Sequence, residues 1–113
     1  MINAKTLKLM KSNSVIINTS RGPIIDEQAL ISALRDEKIS AACLDVFEIE
    51  PVERDNPLLK MDNVIVMPHS ASYSDVAFLN LKKSVINEAI RIYHGKKPIN
   101  IVNKDAVAKV ALT

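Results

Sequence analysis

Apolar residues fall in short blocks separated by polar turns, and their spacing changes from block to block. "SVIIN" (Ser14–Asn18) is β-branched with no alternation, which predicts a strand covered on both faces. "AACLDVF" (Ala41–Phe47) and "NVIVMP" (Asn63–Pro68) read the same way, the last closed by Pro68. Between them, "EQALISALRDEK" sets Leu30, Ala33 and Leu34 on one helical face, with Asp26 as its cap and Glu27 in its first turn. "NAKTLKLMK" (Asn3–Lys11) predicts a short helix capped by Asn3. From Ser74 to His94, Val76, Leu79, Val85, Ala89 and Ile92 keep a 3.6-residue period, a long helix stopped by Gly95 and Pro98. "TSRGP" is a turn, and Pro51 and Pro57 argue against regular structure in "EIEPVERDNPLLKMD". The amphipathic tail from Ile99 is too short to place.

Strand, helix, strand, loop, strand, helix is an α/β alternation. It predicts a partial doubly wound parallel sheet of about three strands with right-handed crossovers, flanking helices and a long C-terminal helix. The division expected is residues 1–73 for the sheet and 74–113 for the helix and tail. So thin a sheet leaves open edges and calls for a partner or a further piece of chain.

Composition narrows the function classes. At 113 residues, 48% hydrophobic and 25% charged, the chain has the balance of one small globular domain. A net charge of +2 is too mild to point to nucleic acid, and no basic block or cluster of stacking aromatics supports it. No apolar run approaches the roughly 20 residues of a membrane span, and no signal-peptide core is seen. The single cysteine, Cys43, has no disulfide partner; it reads as core, in a reducing, cytoplasmic setting. The two glycines, Gly22 and Gly95, exclude both a Gly-x-Gly-x-x-Gly loop and a Walker loop.

Ligands of open parallel sheets bind beyond the carboxyl ends of the strands. Just past the first predicted strand stands Arg21; past the second, Asp45, Glu48 and Glu50; past the third, His69. A guanidinium clamps a carboxylate and polarises a neighbouring carbonyl, and an imidazole gives or takes a proton near neutrality. A carboxylate bonded to that imidazole favours its charged form and fixes its tautomer. Such a set suits proton transfer at a carbonyl or hydroxyl carbon beside a carboxylate. Each residue also has an ordinary reading: Arg21 as a solvated turn charge, Asp45 as a strand cap, Glu48 and Glu50 as loop solubilisers, His69 as a cap for the following helix. Tyr73 has two readings, stacking on a ligand and, ahead of it, packing at the start of that helix; His94 reads as a helix C-terminal charge.

"NTSRGPIIDEQALISAL", "AACLDVFEIEP" and "NVIVMPHSA" together resemble the C-terminal part of the Rossmann-like NAD-binding domain of D-isomer-specific 2-hydroxyacid dehydrogenases. "HSASYSDVA" and "VNKDAV" look nearest the C-terminal-binding-protein branch, although a glycine or tryptophan is commoner where Ser72 stands. The resemblance implies hydride transfer between NAD(H), with NADP not excluded, and a 2-oxo or 2-hydroxy acid. It implies Arg21 as the substrate clamp, His69 as the acid/base and Glu50 as its partner, whereas Glu48 does not match. It places Asp45 near the nicotinamide carboxamide and Thr19 and Ser20 along the cofactor. No metal is implied.

The family's substrate domain and glycine-rich half are not among these residues. A truncated or split gene, a deliberately shortened chain and a proteolytic fragment all fit. The expectation is therefore the catalytic half of such an enzyme, inactive alone, awaiting a complementing N-terminal chain. The alternative is a non-enzymatic homo-oligomer or a corepressor-like, nucleotide-sensing module.

Overall fold

The computed structural model describes residues 1–103, so most of the tail lies outside the described residues. The chain divides into two compact units, Met1–Ala71 and a second that begins at Ser72. In the first, α1 (Ala4–Leu7), β1 (Val15–Asn18), α2 (Glu27–Arg35), β2 (Ala41–Leu44) and β3 (Val64–Val66) follow in chain order. The strands form one parallel sheet in the order β1-β2-β3, with Ile16 beside Ala42 and Ala42 beside Val64. This is the α/β architecture expected from the alternation.

Local chemistry accounts for the element ends. Asn3 and Thr6 form a reciprocal capping box on α1, which stops at Leu7, short of the predicted Lys11. The Asp26 carboxylate accepts the Ala29 N–H at 2.9 Å and starts α2 where the sequence placed it. β2 ends at Leu44, so Val46 and Phe47 belong to the following loop, both buried. That loop contains a single 3-10 turn at Pro57–Lys60, whose Asn56 cap accepts from Leu58 N–H; the prolines did not exclude it.

Two expectations about burial are overturned. β1 alternates, with Ile17 70% exposed beside Ile16 at 9%, and Ile65 in β3 is 64% exposed. Only one face of the sheet meets the core of Leu7, Leu30, Ile31, Leu34, Leu44 and Leu58. The other face carries Val15, Ile17 and Ile65 in the open, and Cys43 is half-buried rather than core. A run of β-branched residues fits a pleated surface whether one face or both are covered, so it does not count the layers.

In the second unit, α3 spans Asp75–Tyr93. Ser74 Oγ accepts the Ala77 N–H at 3.0 Å, and Gly95, at φ +72°, supplies the left-handed residue that ends the helix. Tyr73 is 77% exposed, which corrects its reading as a packing residue. No helix among the described residues is long and apolar enough to cross a membrane.

Candidate active site

The carboxyl ends of the strands turn at three loops, and each loop is held by specific contacts. At the end of β1, the buried Asn18 side chain donates to the Arg21 carbonyl at 3.0 Å and accepts the Ser20 N–H at 3.1 Å. This closes residues 18–21 into a tight turn with Thr19, Ser20 and Arg21 exposed. One Arg21 nitrogen donates to the Ser20 carbonyl at 2.7 Å, leaving most of the five guanidinium donors to a ligand.

The next residue, Gly22, is buried against the loop that follows β2. A Cβ there would overlap the Phe47 carbonyl and the Glu48 nitrogen. Absence of a side chain thus lets the arginine turn and the Phe47–Glu50 loop meet. The Glu50 carboxylate turns back on that loop, one oxygen accepting the Phe47 N–H at 2.9 Å. Its other oxygen is 2.8 Å from His69 Nδ1. An ionised carboxylate only accepts, so Nδ1 carries the proton and Nε2 is the nitrogen left for other chemistry.

His69 sits at φ +53°, a left-handed conformation that a residue with a Cβ rarely adopts. Asp45 holds it there. The Asp45 carbonyl accepts the His69 N–H at 2.9 Å, while its carboxylate accepts the Ser70 and Ala71 N–H groups at 2.7 and 2.9 Å. Asp45 is only 4% exposed. It is therefore a buried anchor for the histidine loop, more than the strand cap it resembled. His69 does not cap the following helix, since Ser74 does.

Glu50 and His69 are thus joined directly, and the charge of Arg21 acts on Glu50. Contact with His69 and then with the Phe47 N–H holds the Glu50 carboxyl below its ordinary value of 4.5. Slight burial opposes this, and the charges of His69 and Arg21 add to it. A carboxyl depressed by folding contributes stability above its unfolded value, lost as pH falls through the lower folded value. Glu50→Gln, a neutral isostere, should therefore differ from wild type in urea midpoint at neutral pH, and the difference should shrink as pH falls below the ordinary carboxyl value of 4.5. A difference that stays constant through acidification until the chain unfolds would contradict the assignment.

A cleft of about 450 Å³ opens beside the pair, lined by Asp45, Phe47, Glu50, Pro51, Val52, Met67, Pro68 and His69. The exposed Thr19–Arg21 backbone and this mostly apolar wall suit the nicotinamide end of a dinucleotide. Neither glycine offers a phosphate loop, because Gly22 is taken up by Phe47 and Gly95 ends α3. Glu48 points its N–H to Glu27 and takes no part in the His69 contact. Asn18, Gly22 and Glu27 were not singled out as site residues by sequence. Only the glycine beside the arginine carried a signal.

Residues 1–71 match the family described as "D-isomer specific 2-hydroxyacid dehydrogenase, NAD binding domain". The chain is 41% identical over 107 residues to the glyoxylate reductase of Korarchaeum cryptofilum, covering 95% of this chain and 32% of that protein. It thus spans about a third of the length of that curated relative. A D-isomer specific 2-hydroxyacid dehydrogenase from Xanthobacter autotrophicus Py2, solved with NADPH and MES, superposes with a TM-score of 0.81 at 39% identity, over 93% of this chain and 43% of that one. D-lactate dehydrogenase from Lactobacillus jensenii, solved with NAD+, gives 0.75 at 31% identity, over 90% of this chain and 34% of that one.

Proposed function

Since the chain belongs to the D-isomer specific 2-hydroxyacid dehydrogenases through their NAD binding domain, we propose that it is the catalytic half of an NAD(P)-dependent reductase of small 2-oxo acids. The observation that carries this reading is the 2.8 Å contact between His69 and Glu50, with the Arg21 turn packed against the loop that holds Glu50. Bound NAD(P)H supplies the hydride. Arg21 holds the substrate carboxylate and polarises the carbonyl with its free donors. His69, oriented by Glu50 through Nδ1, delivers a proton from Nε2 to the carbonyl oxygen, and takes it back in the oxidative direction. Asp45 keeps the imidazole at the cleft and would lie near the carboxamide of a bound nicotinamide. Thr19 and Ser20 line the cofactor's path.

The 113-residue chain alone should turn over slowly or not at all. The His69 and Glu50 side chains are 47% and 37% exposed, and an open site does not exclude water. NADH or NADPH oxidation measured against a panel of 2-oxo acids should stay below about 1 per second, an ordinary enzyme rate. Faster turnover would refute the half-enzyme reading.

The open sheet face of Val15, Ile17 and Ile65 favours a second reading, an assembly module that buries this face against a further copy or a complementing chain. Light scattering alongside the same titration separates the two. A stable oligomer blind to NADH is the assembly outcome; NADH binding is the enzyme outcome.

A further inference from the structure

Glu27 looks from sequence like a first-turn acid that favours the N-terminal end of α2. The structure spends both of its carboxylate oxygens elsewhere. One accepts the Glu48 N–H at 3.1 Å, and the other accepts the Asn56 side-chain amide at 2.7 Å. Those partners lie at the two ends of the excursion that carries Glu50. Asn56 is itself fixed, its oxygen accepting the Leu58 N–H at 2.9 Å, and Leu58 is fully buried. One side chain on a rigid helix therefore ties down both ends of an otherwise exposed loop. At one end the tie sits next to Phe47, whose N–H holds Glu50 and whose carbonyl meets Gly22.

We propose that Glu27 is a positioning residue for the acid–base pair, holding the 48–56 loop so that Glu50 meets His69. The relevance of this hold to catalysis rests on the functional reading above, and its geometry on these contacts alone. Without Glu27, the Glu48 N–H and the Asn56 amide would turn to water. The loop would then be held by Phe47 and Leu58 at its ends and by the half-buried Val52 between them, and Glu50 would reach Nδ1 for only part of the time. Glutamine at position 27 keeps one accepting oxygen for two donors and so retains one tie.

The test is the His69 tautomer, read from imidazole 15N shifts in the 113-residue chain at a pH where the ring is neutral. Wild type should show the proton on Nδ1, and Glu50→Ala defines the change when the accepting oxygen is lost. Glu27→Ala should move the two nitrogen shifts at least half of the way from wild type to Glu50→Ala, and Glu27→Gln by a smaller, measurable fraction. Glu53→Gln, which removes a neighbouring acid from the same loop, should leave the shifts at wild type. If Glu27→Ala does not fold, Glu27→Gln decides. Wild-type shifts in a folded Glu27 variant would overturn the proposal, as would an equal displacement by Glu53→Gln. A folded Glu50→Ala chain with wild-type shifts would instead remove the acid–base pair itself, and with it the proposed function.

Discussion

Gly22→Ala is expected to destabilise the chain by about 3 kcal/mol, the upper end of ordinary overpacking. The demand at this position is for space. The new methyl group would overlap the Phe47 carbonyl and the Glu48 nitrogen, which are backbone atoms without a rotamer to move. Relief requires the β1 turn and the loop after β2 to separate. That separation pulls Arg21 away from Glu50 and exposes Phe47, at 7% exposure a member of the core. Urea unfolding followed by circular dichroism measures the loss. A change below about 1 kcal/mol, with the Phe47 and Glu48 amide shifts unmoved, would mean the two loops do not meet as described.

The second large effect is on turnover. In an active protein containing these residues, His69→Ala should lower kcat by about 10²- to 10⁴-fold, the range of general acid catalysis by a placed side chain. Glu50→Gln should cost less, because the imidazole remains. In the His69→Ala background it should cost almost nothing further, since Glu50 acts through the ring it holds. Additive losses from the two substitutions would show Glu50 working on the substrate by itself. Steady-state kinetics of the two single variants and the double variant decide between these outcomes.

The candidate site was legible because each apolar strand block ends abruptly at polar residues. Arg21, Glu50 and His69 could be assigned to one sheet edge from that pattern, and the resemblance separated Glu50 from Glu48. The Asp26 cap and the Leu30–Leu34 face were equally local and equally readable. What failed depended on distant parts of the chain. One-sided coverage of the sheet is decided by which elements pack on it, which β-branched residues do not encode. Asp45 reads from sequence as a strand cap or, by the resemblance, as a residue near the cofactor, and its hold on Ser70 and Ala71 joins residues 25 and 26 positions apart. Glu27 grips groups 21 and 29 positions away. Gly22 is needed for a contact with residue 47, and a turn glycine gives no hint of its distant neighbour.

The central claim is that the carboxyl edge of this sheet carries a working acid–base pair for 2-oxo acid reduction. It is tested most directly in a hybrid in which this chain replaces the matching third of the Korarchaeum glyoxylate reductase. NAD(P)H-dependent glyoxylate reduction by that hybrid is to be measured beside its His69→Ala form, both shown to be folded. The account predicts an active hybrid and a loss of at least about 100-fold on substitution. Turnover by the His69→Ala hybrid within about threefold of its parent would contradict it.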